Sequence, residues 1–189
     1  MAKNSENPQI SVEYEVDYRD IKYPRLEYKT GSLILILPKE YEDSKTILEN
    51  HKEWITQKEQ TIRQALEKAK ENNIRTERTD KELKELVSST TKAYREKYGF
   101  EVNGIYYKRM KTKWGSFSQR KNLTMNTLLK YLPEKLVNYV IFHELAHSVE
   151  RRHDETFWTI VKKEHRNHQA LEKDLLVYWF LVQEKAKKH

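Results

Sequence analysis

The 189-residue chain contains no cysteine, which excludes disulfides, thiolate zinc sites and cysteine nucleophiles. Long apolar runs are missing as well. The longest, LILIL at 33–37 and LLVYWFLV at 175–182, fall far short of the roughly 20 residues a spanning helix needs, so no transmembrane segment is expected. The opening MAKNSENPQI has neither an apolar core nor a small-residue cleavage pattern; nothing there resembles a secretory signal, and the expected location is the cytoplasm. No internal repeat or low-complexity tract is present. Hydrophobic residues make up only 37% of the chain against 34% charged, yet 12 Tyr, 5 Phe and 4 Trp supply the large apolar surfaces of a globular core. Wholesale disorder is excluded, and the length suits one domain, or one with a modest extension. Without thiols, any chemistry falls to histidines, carboxylates and hydroxyls.

Hydrophobic periodicity divides the chain. Ile10, Val12, Tyr14, Val16 and Tyr18 alternate with polar residues, the period of a half-buried strand; Leu26 and Tyr28 begin a second, and LILIL before Pro38 reads as a third. From Ser44, Ile47, Leu48, Trp54, Ile55, Ile62, Leu66 and Ala69 follow helical spacing, with Asp43 or Ser44 as cap and an end near residue 71. A polar connector, 71–80, precedes a second helix carrying Leu83, Leu86, Val87, Tyr94 and Tyr98, which Gly99 can end. Short strands follow around Gly104 and Gly115, then NLTMN. Pro133 opens a helix at its favoured first-turn position, with Glu134 behind it. A further helix follows Asp154, and LEKDLLVYWFLVQEKAKK forms the last. The expected organisation is an N-terminal part, 1–100, and a catalytic unit, 101–189, or one compact domain overall.

The chemistry concentrates at His143, Glu144 and His147, an H-E-x-x-H sequence. On a helix the two histidines share one face and can close on one metal ion, while Glu144 is placed to deprotonate a water. Val140, Ile141, Phe142, Leu145 and Ala146 make this helix apolar around most of its circumference. Ionisable groups in such a helix need a metal or a network to neutralise them. His153 stands ten residues after His143. A continuous helix would carry it about 15 Å away, so a role for it requires the helix to break between His147 and His153, with Arg151 and Arg152 in the turn. The spacing equals that of metzincins, but Glu150 occupies their glycine position and no Met follows His153. Asp154, Glu155, Glu164, Glu172 and Asp174 are alternative third ligands; His153 is favoured because imidazole is the commonest zinc ligand and three of them leave one position open.

Several stretches resemble the YgjP-like family of zinc metallopeptidases, relatives of the SprT-like and WLM families: KTKWGSFS at 111–118, the strand from Leu123 to Asn126, the Pro133 helix into HELAH, and HDETFW from His153. LILILP and the helix containing HKEWI are similar to the family's N-terminal part. The resemblance covers nearly the whole chain. It implies an α+β, zincin-like metallopeptidase fold with a small N-terminal β-meander and a long helix. It also implies Zn2+ on His143, His147 and His153, with Glu144 as general base. The chain departs from the family at Phe117, where a cysteine is usual, and at HD in place of HS after the third ligand.

The segment 104–132 holds Lys108, Arg109, Lys111, Lys113, Arg120, Lys121 and Lys130 and no acid, so it equals the formal charge of +7 of the whole chain. Lys111, Lys113, Trp114 and Gly115 are expected beside the cleft, as a substrate edge strand or a basic patch. The expected activity is hydrolysis of peptide bonds in a protein or peptide substrate. Two alternatives stand beside it: a peptidase acting on DNA-bound or crosslinked proteins through the basic segment, and a non-catalytic, zinc-stapled binding module. Trp114, Phe157 and Trp158 are expected in the core, His165 and His168 in solvent, and His51 on a helix surface.

Overall fold

The computed structural model describes residues 14–29, 32–41, 43–72, 74 and 76–187; Ile10 and Val12 of the first expected strand lie outside them. The architecture is α+β, and packing divides the chain into Met1–Arg63 and Gln64–His189. The division falls inside a helix.

The first unit holds β1 (Tyr14–Arg19), β2 (Arg25–Lys29) and β3 (Ser32–Pro38), then α1 (Ser44–Asn50) and the start of α2 (Lys52–Glu71). The three expected strands form in the order β1-β3-β2, with β2 antiparallel and β1 parallel to β3. The apolar run of β3 therefore becomes the central strand. Leu35 and Leu37 pack with Ile47, and Leu33 and Ile36 are also buried. β1 lies at an edge, and Tyr14, Val16 and Tyr18, whose alternation predicts a half-buried face, are exposed. Asp43 caps α1 through the Thr46 N–H at 3.1 Å. The single helix expected over 44–71 is interrupted at His51, whose Nδ1 lies 2.8 Å from the Ile47 carbonyl.

The second unit begins within α2. α3 (Asp80–Tyr98) starts with a reciprocal cap: the Glu82 N–H donates to the Thr79 hydroxyl, and the Thr79 N–H to the Glu82 carboxylate at 2.7 Å. It ends at Gly99, whose φ of 73° is the left-handed geometry glycine adopts freely. β4 (Gly104–Lys108), β5 (Gly115–Phe117) and β6 (Asn122–Asn126) form a second sheet in the order β4-β6-β5, β5 antiparallel to β6 and free on its other side among the described residues. A 3-10 turn, Thr127–Tyr131, leads to α4 (Glu134–Ala146), then α5 (Glu155–Glu164) and α6 (His168–Lys187).

α4 is the core of this unit. Leu136, Val137, Tyr139, Val140, Ile141, Phe142, Leu145 and Ala146 are all buried, because the helix is covered by α3, α5, α6 and β5. Tyr94, Tyr98 and Phe100 close on the Phe142 ring with centroids 5.0–5.6 Å apart, which places α3 with the C-terminal half. No helix among the described residues is long and apolar enough to cross a membrane.

Candidate metal centre and cleft

His143 and Glu144 lie in the last turn of α4, and His147 is its C-cap residue. The helix stops there, as a role for His153 requires. The Ser148 and Val149 N–H groups close tight turns onto Leu145 and Ala146, and the chain reverses through 150–153. Asp154 then caps α5 by accepting from the Phe157 N–H at 3.2 Å. The reversal returns His153 to the two helix histidines, and one ring nitrogen from each of the three lies within 4.8 Å of the others. His143 Nε2 and His153 Nε2 are 3.0 Å apart.

The second nitrogen of His147, Nδ1, is 3.0 Å from the Glu150 carbonyl. A carbonyl only accepts, so Nδ1 carries the hydrogen and the lone pair sits on Nε2. Burial lowers the pKa of all three imidazoles and holds that of His143 down at about 3, with its histidine neighbours adding to the effect. The result is a cluster of neutral imidazoles. Nitrogens bound at about 2.0–2.1 Å around a tetrahedral zinc ion are roughly 3.3 Å apart; the His143 and His153 Nε2 atoms at 3.0 Å are close to that spacing, and the cluster as a whole, within 4.8 Å, needs side-chain adjustment of up to about 1.5 Å to share a cation.

Trp158 fixes His153 from outside. Its indole N–H donates to the His153 carbonyl at 3.2 Å, its ring stacks on the imidazole at 5.8 Å, and His168 stacks on the same indole at 4.9 Å. His168 is therefore buried, contrary to the solvated position expected from its polar surroundings. His165 is half-buried against Tyr139 and Phe142. Helix packing, which local polarity does not encode, covers both.

Glu144 faces β5 at the cleft floor. Burial pushes its carboxyl up to about 7, against the opposing pull of the Lys113 charge and a hydrogen bond from the Phe117 N–H. Gly115 permits this approach: a Cβ there would stand 2.7 Å from Glu144 Cγ. In the antiparallel β5–β6 ladder, Asn126 N–H donates to Trp114 C=O and Ser118 N–H to Asn122 C=O. The alternate residues Gly115 and Phe117 therefore turn their backbone groups to the free edge.

The cleft, about 460 Å³, is lined by Lys113, Gly115, Ser116, Phe117, His143, Glu144, His147, Arg151 and His153. Of the expected edge or basic patch, Lys113 and Gly115 line it. Lys111 is exposed outside the lining, and Trp114 packs edge-on against Trp179 of α6 at 4.9 Å, in the core. Sequence reasoning missed Ser116 as a wall residue and treated Arg151 only as part of a turn. It also missed Asn126, fully buried, whose amide donates to the carbonyls of Met110 and Lys113 at 2.9 and 2.8 Å and so anchors the loop before β5. A polar residue closing an otherwise apolar strand, NLTMN, was the available signal.

A buried helix that offers two histidines and a carboxylate to an open cleft, with a third histidine returned by the next turn, has the layout of a metallopeptidase. The chain belongs to the YgjP-like family: the model of its metallopeptidase domain matches residues 75–177, more than half the chain. Two solved structures are similar. The metallopeptidase zymogen of Pyrococcus abyssi abylysin has 22% identity and a TM-score of 0.41, covering 46% of this chain and 87% of that one. The metallopeptidase zymogen of Methanocaldococcus jannaschii jannalysin has 27% identity and a TM-score of 0.39, covering 49% and 90%. A search among curated proteins finds no match.

Proposed function

We propose that the chain is a zinc-dependent peptidase in which His143, His147 and His153 hold the metal and Glu144 is the general base. The observation that carries this reading is the convergence of three neutral imidazoles beside a recessed carboxylate. When bound, zinc supplies Lewis acidity toward a water and a peptide carbonyl. An extended peptide lies along the free edge of β5, pairing with the outward backbone groups of Gly115 and with the Phe117 carbonyl. Glu144 takes a proton from the attacking water and passes it to the departing amine. Its raised pKa suits both halves of that transfer near neutral pH. A zinc staple without catalysis would need a fourth protein ligand, and the cluster among the described residues contains three.

The DNA-associated reading draws on a separate observation. Lys121 pairs with Glu101 and Lys130 with Asp80, whereas Lys108, Arg109, Lys111, Lys113 and Arg120 form no ion pair among the described residues. Five cations without an ion pair suit phosphate contacts.

The test is metal removal. EDTA treatment should abolish cleavage of an unfolded protein substrate, zinc should restore it at one ion per chain, and His147→Ala should lose the tightly held ion. Full activity in metal-free protein would sink the proposal.

A further inference from the structure

We infer that Lys113 and Arg151 form a carboxylate-selecting pair, so that the cleft takes acidic peptides, engaging an Asp or Glu side chain or a terminal carboxylate beside the scissile bond. This inference rests on the peptidase reading.

The two cations enter the same cleft from different loops, Lys113 two residues before β5 and Arg151 between α4 and α5, and line it together with the histidines. Neither forms an ion pair among the described residues. Arg152, next to Arg151, differs: it lies 3.9 Å from Glu150 and 3.8 Å from Asp154. Glu144 is the only carboxylate in the lining, and the Phe117 N–H already engages it at the floor. Among the described residues that line the cleft there are thus two cations and one carboxylate, at the floor.

Both side chains stand on fixed backbone. The buried Asn126 amide holds the Lys113 carbonyl at 2.8 Å, and the His147 ring holds the Glu150 carbonyl at 3.0 Å, one residue before Arg151. Preorganised mounting lowers the cost of ordering a long side chain on a ligand. A carboxylate entering between them gains charge-assisted hydrogen bonds from both walls. A basic side chain meets repulsion from both.

The experiment uses the zinc-loaded full chain and quenched-fluorescent peptides of one sequence carrying Glu, Gln or Lys beside the scissile bond, plus one pair ending in a free acid or an amide. We expect kcat/KM for Glu to exceed that for Gln by about tenfold, more over Lys, with the ratio falling as salt rises. In Arg151→Glu and Lys113→Glu the Glu-to-Lys ratio should invert. Preference for the internal Glu assigns the side chain, and preference for the free acid over the amide assigns the terminus; either supports the pair. Equal cleavage of all peptides overturns the inference and leaves the peptidase reading standing. An acidic preference unchanged in both charge-reversal variants overturns it too. Binding of labelled peptides to Glu144→Gln, followed by anisotropy, separates the two readings when nothing is cleaved. Acidic-selective binding lost on charge reversal supports the pair and counts against catalysis, whereas unselective binding or none overturns the pair. A labelled single-stranded oligonucleotide bound through Lys113 and Arg151, with no discrimination among peptides, overturns it in favour of phosphate.

Discussion

Replacing Gly115 with alanine perturbs Glu144, the proposed general base, without substituting it. The new methyl group would stand 2.7 Å from Glu144 Cγ and 3.1 Å from both Cδ and Oε1. Ordinary contact begins at 3.4 Å, so the Glu144 side chain must shift by about 0.7 Å at Cγ. A displacement near 1 Å in a positioned catalytic group costs up to about 100-fold. We therefore expect kcat/KM to fall by about 10- to 100-fold, or ~1.4–2.8 kcal/mol in the barrier. Stability should fall modestly. Crowding a buried side chain costs about 1–3 kcal/mol, and because Gly115 lacks the positive φ found at Gly99, the ~0.4–1 kcal/mol that alanine gains through the unfolded chain offsets part of it. The assay combines cleavage kinetics on an unfolded protein, metal content and thermal unfolding. Full activity in Gly115→Ala, or a loss that tracks loss of metal, would refute the reasoning.

Two further predictions address the supports around the site. Trp158→Phe keeps a stacking ring but removes the 3.2 Å hydrogen bond to the His153 carbonyl; competition with a zinc indicator should show affinity weakened about three- to tenfold, and an unchanged dissociation constant would remove the indole N–H from the account. Burial alone would raise the Glu164 pKa, but the Lys97 ammonium at 2.6 Å and the Tyr98 hydroxyl outweigh it and lower the value. A depressed carboxyl pKa contributes stability above its unfolded value of about 4 and loses it as pH falls through the folded value. Glu164→Gln should therefore lower Tm at pH 7 and by progressively less toward pH 3; a pH-independent difference would contradict the assignment.

Local signals carried much of the architecture. Asp43, Gly99 and Asp154 mark helix ends in the sequence because capping is a short-range interaction, and each stands where a helix begins or ends. The apolar circumference of 134–146 is legible for the same reason: a helix covered on all sides needs no polar face. The histidine spacing, with the break it demands before Asp154, anticipates the convergence at the end of α4. What stayed hidden depends on distant partners. The parallel pairing of β1 with β3 is a non-local choice that alternation cannot specify, and Tyr14, Val16 and Tyr18 are exposed although their pattern predicts a covered face. His168 looks polar in sequence and is buried by Trp158. Lys111 and Lys113 look equivalent in KTKWGS, but Asn126 holds the loop so that only Lys113 lines the cleft.

Side-by-side comparison of the unmodified chain with Glu144→Gln tests the central claim most directly. Metal content and hydrolysis of an unfolded protein are measured on the same preparations. Equal zinc in both, with cleavage reduced by about 10²- to 10⁴-fold in the variant, is the result predicted for a base that acts beside the metal without binding it. Undiminished cleavage by Glu144→Gln, or no metal bound by either protein, would contradict it.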